Sequence, residues 1–243
     1  MEDNAVWMLV FIITELIAGL VQGVAGFGSG PIAMITFPMH WPLPVSAAIS
    51  VGVAMALNVN MVWTYRRDVR WKEALLPIIP YLAICSAAIS FSQMVRQALM
   101  KRILGAFLMA LAIYYLFFHR REKKPFNWIK TALYVAVSAV SDAFFGIGGP
   151  LMVLYFLNKT DNIREYLGTI AAFFLINCIY NTAYRAACGI LTAEHLPYIG
   201  IGMAAILLGV TLAHGLVKRL NDERLKKITY IMIGLSGLFH LCS

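Results

Sequence analysis

Long apolar runs separated by short polar loops dominate the chain. Runs of about 20 apolar residues, enough to cross about 30 Å of hydrocarbon, lie near residues 5–25, 45–65, 74–92, 99–118, 127–146, 166–186, 196–217 and 226–242. Two further apolar pieces, 31–39 and 150–157, are too short for an ordinary crossing. The pattern predicts an all-α polytopic membrane protein.

Each short piece follows a glycine-rich turn that carries no charge. The two turns read Gly26-Phe27-Gly28-Ser29-Gly30-Pro31 and Gly146-Ile147-Gly148-Gly149-Pro150. Broken backbone at membrane depth is tolerated only where protein buries it or where it lines a polar cavity. We therefore expect two broken helical hairpins beside a solute site.

The two turns belong to an internal repeat. An offset of 119 residues aligns Gly30-Pro31 with Gly149-Pro150, Ser50 with Thr169, Asn58 with Asn177, and Tyr65-Arg66 with Tyr184-Arg185. The match predicts a single transmembrane transport domain over 1–243, made of repeat 1 (about 1–122) and repeat 2 (about 123–243).

Composition agrees with a lipid environment. The 243 residues are 60% hydrophobic and 13% charged, and their mean hydropathy is +0.75. The net charge of +8 comes from Lys and Arg in short loops, which is typical of membrane topology and does not predict a nucleic-acid partner. Cys85, Cys178, Cys188 and Cys242 lack metal-ligand spacing, so we expect no metal and no cofactor.

Basic residues also predict the path of the hairpins, because Lys and Arg concentrate in short cytoplasmic loops. If each hairpin reverses the chain, the loops at 66–72, 120–130, 159–164 and 218–227 share one side and hold 16 of the 20 basic residues. Straight passage would divide them equally. Reversal leaves three further crossings in each half, so the halves are predicted to be inverted repeats with both termini outside.

The start of a helix after each turn favours an anion. Unpaired N–H groups and the positive end of the helix dipole both attract negative charge. Pro31 and Pro150 suit a first helical turn, and Ser29 suits an N-cap. We expect the substrate to contact Gly26, Gly28, Ser29, Gly30, Gly146, Gly148 and Gly149. Small residues that merely allow close helix packing are the alternative.

Other polar residues in the apolar runs are further candidates. Asn58, Asn177, Ser50 and Thr169 are predicted to donate hydrogen bonds to the substrate, or else to bond between helices. Asp142 and Glu15 are candidates for proton coupling, with a structural acid as the alternative. Tyr65-Arg66 and Tyr184-Arg185 are expected to anchor helix ends at the membrane surface, with Arg reaching water, and attraction of an anion into each vestibule is the alternative.

The motifs Gly23-Val-Ala-Gly-Phe-Gly-Ser-Gly30 and Phe145-Gly-Ile-Gly-Gly149, in two halves of a chain this long, resemble the TauE/SafE family of membrane transporters. The resemblance implies a multi-pass permease of the inner membrane, in a family linked to sulfite, sulfonates and other organosulfur anions. Ser29 and Pro150 stand where the family usually has glycine, which puts sulfite itself in doubt as the substrate.

Together these features predict a secondary transporter that moves a small anion by alternating access. A passive anion channel is the nearest alternative, and a membrane-embedded enzyme is a more distant one. We expect the partners to be a small anionic solute and the lipid bilayer, with a homo-oligomer left open.

Overall fold

The structure is a computed structural model that describes residues 2–25, 27–113, 127–216, 234, 237 and 238. In this part of the chain the regular structure is helical, as the apolar pattern predicts. The α-helices are α1 (Glu2–Ala25), α2 (Ser29–Thr36), α3 (Leu43–Tyr65), α4 (Trp71–Leu75), α5 (Ile78–Ser92), α6 (Gln97–Ile113), α7 (Trp128–Phe145), α8 (Gly149–Lys159), α9 (Ile163–Ala187) and α10 (Leu196–Leu216).

Six segments of the described chain are long and apolar enough to cross a membrane. They are Ala5–Gly23, Leu43–Tyr65, Trp71–Ser92, Trp128–Phe145, Ile163–Ala187 and Ala193–Ala213. Each matches a predicted apolar run. The predicted run 99–118 is described as far as Ile113, in α6, and most of 226–242 lies outside the described residues.

The first broken segment reverses the chain. Trp7, near the start of α1, stacks on His40, which follows α2, with ring centroids 4.5 Å apart. The ring of Phe11, one turn later, stacks on Phe37 at 5.1 Å. The arms of this hairpin are therefore antiparallel, and residue 40 lies at the end of the molecule where α1 begins. This is the reversal that the distribution of basic residues predicts.

The loops that precede α4 and α9 meet at the opposite end of the molecule. Arg70 forms an ion pair with Asp161 at 3.3 Å, and Arg164 forms one with Asp68 at 3.2 Å. All four side chains lie in two of the loops that were predicted to share the cytoplasmic side. The other two predicted cytoplasmic loops, 120–130 and 218–227, lie wholly or mostly outside the described residues.

Helices α3 and α9, which the 119-residue offset relates to each other, pack in opposite directions. The start of α3 meets the end of α9, where Arg185 donates from Nη1 to the Pro44 carbonyl at 3.3 Å. The end of α3 meets the start of α9, where Tyr65 packs against Gly168. An antiparallel pair of equivalent helices is the relation that inverted repeats require, so this packing supports the prediction.

Small residues allow the outer helices to approach closely. Gly19 of α1 lies against the Ile206 carbonyl of α10, and Gly209 of α10 lies against the Leu16 carbonyl of α1. A Cβ atom at either glycine would overlap the facing carbonyl. This close packing stabilises helix pairs in lipid, where no hydrophobic effect drives association. Helices α5 and α7, which the offset relates to α10 and α1, also pack together.

The fold predicts the accessibility of two loop positions. In a variant whose native cysteines are replaced by alanine, His40→Cys and Asp161→Cys should react with a membrane-impermeant maleimide from opposite sides of the membrane. Both side chains are exposed and lie at opposite ends of the helices. Labelling of intact cells and inverted vesicles measures this. Arg67→Cys is the control and should match Asp161→Cys; labelling of His40→Cys from that same side would contradict the fold.

Candidate functional site

Glycine is required at both breaks by backbone conformation. Gly28 has a φ of 123° and Gly146 a φ of 65°, in the region that strains any residue with a Cβ atom. Gly146 ends α7 in a left-handed conformation, and its N–H donates to the Asp142 carbonyl at 2.8 Å. Each break therefore stops one helix sharply and lets the next begin within three residues.

The helices that follow the breaks present free backbone amides. The first N–H groups of any helix lack partners inside that helix. Pro31 and Pro150 have no N–H, so neither residue adds an unsatisfied donor to the first turn of α2 or α8. In α2 the Ser29 amide donates to the Gln22 side chain at 3.1 Å and the Ile32 amide to the Gly28 carbonyl at 3.2 Å. Within the described residues, no such bond is made by the Gly30 amide.

The two breaks touch each other. Gly30 lies against the Gly146 carbonyl, and a Cβ atom at position 30 would overlap it. Gly149 lies against the Phe27 side chain. A Cβ atom placed at position 149 would be 3.2 Å from Phe27 Cβ. In the repeat, position 30 is equivalent to position 149, and position 27 is equivalent to position 146. The two contacts are therefore equivalent. The break of each half therefore packs against the break of the other through equivalent positions.

Equivalent side chains support the two breaks by different bonds. Gln22 accepts from the Ser29 amide, as described above, and thereby fixes the start of α2. Its repeat partner, Ser141, donates to the Ile147 carbonyl at 2.8 Å and to the Ser138 carbonyl at 3.0 Å. Backbone groups that leave the helical pattern are thus satisfied by protein, as they must be away from water.

A small cavity lies where the breaks meet α3 and α9. The cavity has a volume of about 50 Å³, which is several times the roughly 10–15 Å³ that one water molecule needs. Its lining is formed by Gln22, Phe27, Gly28, Ser29, Gly30, Pro31, Ser50, Val51, Ala54, Asn58, Asp142, Gly146, Ile147, Gly148, Gly149, Phe174, Asn177 and Cys178. The cavity can therefore hold a small solute among backbone amides, three side-chain amides and two hydroxyl groups.

Asp142 is surrounded by hydrogen-bond donors. Its Oδ2 accepts from Asn177 at 2.7 Å and from Asn181 at 3.2 Å. The Tyr81 hydroxyl and the Gly148 amide also reach the carboxylate. A carboxylate is costly at membrane depth, and donors of this kind reduce that cost. They also tie α5, α7 and α9 to the second break.

Asn58 brings a buried oxygen to the cavity that has no partner among the described residues. Its Nδ2 donates to Cys178 Sγ at 3.6 Å, while Oδ1 has no hydrogen bond within the described residues. The side chain is only 2% exposed. Because a buried polar atom without a partner is destabilising, a ligand group that donates a hydrogen bond would stabilise this oxygen.

The described residues contain no cluster of His, Cys, Asp and Glu that could hold a metal ion. The model of the sulfite exporter TauE/SafE family matches residues 11–239 of the chain.

The chain belongs to the TauE/SafE family.

It is also similar to a probable membrane transporter protein of Methanocaldococcus jannaschii, with 22% identity over 96% of this chain and 94% of that protein. No solved structure matches the chain. Among the residues that the structure describes, both breaks lie within the range matched to the TauE/SafE family.

Most of the predicted substrate residues line the one cavity. Those in the lining are Gly28, Ser29, Gly30, Gly146, Gly148, Gly149, Ser50, Asn58 and Asn177, and the proton-coupling candidate Asp142 lines it too. Gly26 lies outside the described residues. Thr169 does not line the cavity, and its hydroxyl instead accepts from the Arg70 amide at 3.0 Å. Glu15 is 1% exposed and lies outside the lining, and its Oε1 has no partner within the described chain.

The expectation that both Tyr-Arg pairs anchor helix ends is wrong for the second pair. Arg66 is exposed and lies over the Trp63 ring at 4.8 Å, as an anchor would. Arg185 is fully buried and donates from Nη2 to the carbonyls of Asp142 at 3.2 Å and Ala143 at 2.6 Å. A cation is favoured there because the C-terminal end of α7 carries partial negative charge.

Several polar residues around the cavity were not predicted from the sequence. Gln22, Tyr81, Asn181 and Arg185 all bond to the breaks or to Asp142. The signal for Asn181 was available, since it follows Asn177 by one helical turn and so lies on the same face. Gln22 and Tyr81 act through contacts between distant helices, which spacing along one helix does not reveal.

The contact between the breaks predicts a strict size limit at position 30. Gly30→Ala should lower the thermal stability of the purified protein by about 1–3 kcal/mol, because its methyl group would overlap the Gly146 carbonyl. Thermal unfolding in detergent measures this. Gly200→Ala is the control, since nothing lies within 4 Å of a Cβ atom there. Equal stability of the two variants would show that the breaks do not touch.

Proposed function

We propose that this TauE/SafE protein is a secondary transporter for a small anion, such as sulfite, a sulfonate or another organosulfur anion. The cavity between the two breaks carries the proposal. It combines the starts of two helices with Asn58, whose Nδ2 carries a second N–H besides the one that donates to Cys178. Among the described residues, the amides and hydroxyls that line it are suited to oxyanion oxygens.

The comparisons support the broad class. The chain belongs to a family described as sulfite exporters, and the relative from Methanocaldococcus jannaschii is named a probable membrane transporter protein. These are names of transporters and not of enzymes. The organosulfur substrate follows from the family description and is part of the proposal.

Alternating access between two inverted halves is the proposed mechanism. The antiparallel packing of α3 and α9 supports it, because exchanging two inverted halves converts an inward-facing state into an outward-facing one. The two ends of the molecule are joined differently. Near residue 44, Arg185 bonds α9 to α3, while at the other end exposed ion pairs such as Arg70–Asp161 join the loops. Each set would break when its end opens.

Proton coupling is assigned in this proposal to Asp142, with Glu15 as the second candidate. Asp142 lines the cavity, so its charge would repel a bound anion and its proton would favour one. Glu15 shares a face of α1 with Gln22, two helical turns away. The protein is proposed to lie in the inner membrane with both termini outside.

Binding at the cavity can be tested with one pair of asparagines on α3. Asn58→Ala should weaken binding of sulfite or methanesulfonate to purified protein by about 10-fold, because it removes the second Nδ2 N–H that can donate to the anion, and one hydrogen bond to a charged group has about that value. Calorimetric titration measures the affinity. Asn60→Ala is the matched control, because Asn60 lies on the same helix and does not line the cavity.

Equal affinity of Asn58→Ala and the unchanged protein would remove the cavity from the binding site. Uptake into proteoliposomes separates the carrier from a channel, since a carrier saturates with substrate. Large single-channel currents would favour a channel.

The role of Asp142 predicts how uptake responds to pH. If the carboxyl carries a proton with the anion, uptake by the unchanged protein rises as external pH falls, and Asp142→Asn removes that dependence. Initial rates of methanesulfonate uptake into proteoliposomes across a pH series measure it, because this anion keeps its charge over the series. Asp161→Asn, in an exposed loop, is the control and should keep the pH response. A full pH response in Asp142→Asn would reject the role.

A further inference from the structure

The cavity has an unusual charge distribution for an anion site. Among its described lining residues, none is Lys, Arg or His, and Asp142 is the one ionisable carboxyl. The remaining polar groups are neutral amides, hydroxyls, a thiol and backbone N–H groups. No side-chain cation of the described lining therefore faces a bound anion.

Two described arginines, Arg185 and Arg70, are engaged outside the cavity. Arg185 contacts α7, but its guanidinium is buried against the carbonyls of Asp142, Ala143 and Pro44 and does not line the cavity. Arg70 pairs with acidic groups at an exposed loop. Among the described residues, the positive potential in the cavity therefore comes from backbone N–H groups.

The backbone can balance about one negative charge. Each helix N-terminus acts as about half of a positive charge, and α2 and α8 begin at the cavity together. Two starts thus amount to about one positive charge. Whatever the protonation state of Asp142, a dianion leaves one more buried negative charge unbalanced than a monoanion of the same size does.

We propose that this site selects monoanions and excludes dianions of equal size. The inference rests on the proposed function and adds the charge of the substrate to it. Sulfite is then accepted as its hydrogen form, and sulfonates, which carry one charge, are accepted directly. Hydrogen oxyanions within this class also bring an O–H group that can donate to Asn58 Oδ1, which has no hydrogen bond among the described residues.

Methanesulfonate and sulfate provide the test, since they are similar tetrahedral anions that differ by one charge. We expect purified protein to bind methanesulfonate more than about 10-fold more tightly than sulfate, given the cost of unbalanced charge at membrane depth. Sulfite affinity should also fall from mildly acidic to mildly alkaline pH by more than that of methanesulfonate. Methanesulfonate keeps its charge, so it reports titration of the protein alone.

A variant with an added cation tests the cause. Ala54 lines the cavity, so Ala54→Lys should move the ratio of methanesulfonate to sulfate affinity toward sulfate by about 10-fold or more. Ala56→Lys, on the same helix and outside the lining, should leave the ratio unchanged. The comparison of the two anions on unchanged protein decides the inference even if the lysine variant does not fold.

The possible results separate the two proposals. Sulfate binding as tight as methanesulfonate binding would overturn charge selection and leave an anion transporter in place. Binding of neither anion, nor of sulfite, would overturn the proposed function and this inference with it.

Discussion

Backbone hydrogen bonding at membrane depth is the constraint on which this structure depends. Wherever a helix is broken inside the apolar region, amides and carbonyls lose their partners, and each must find another within the protein. The chain meets this demand at two glycine breaks. Gln22 and Ser141 form hydrogen bonds with backbone groups of the breaks, and Arg185 donates to carbonyls at the end of α7. The remaining backbone groups of the breaks line the cavity.

The two halves meet the demand unequally. Among the described residues, the first break is bonded by one side-chain amide, that of Gln22. The second has Ser141, the donors around Asp142, and the buried guanidinium of Arg185. The repeat partner of Asp142 is Gly23, which has no charge. The repeat partner of Arg185 is Arg66, which is exposed. One half is thus held by a dense polar network, and the other is held mainly by close packing of small residues.

Periodicity and charge count were sufficient for the helices and the reversal of the first hairpin. Apolar runs have the length of a crossing, and the excess of Lys and Arg in a few loops indicates which loops lie together. The same reasoning brought Gly30, Asn58 and Asn177 to one cavity, because a repeated residue occupies equivalent places in both halves.

Contacts between helices could not be derived in that way. Thr169 is the repeat partner of Ser50, yet its hydroxyl bonds to the loop before α4. The residues that surround the two side chains are not equivalent, so the side chains have different partners. Arg185 was expected at a membrane surface because a terminal Arg usually reaches water. It is buried because the end of α7 lies beside it, and only the three-dimensional packing reveals that.

The register between α3 and α9 has a consequence for any motion of the halves. Asn58 bonds to Cys178, the neighbour of its own repeat partner Asn177, so these residues lie where the two copies cross. A rotation that exchanges the copies moves residues least where it is centred. A solute held there would keep the same protein neighbours through the whole cycle, while residues at the far ends of both helices would exchange theirs.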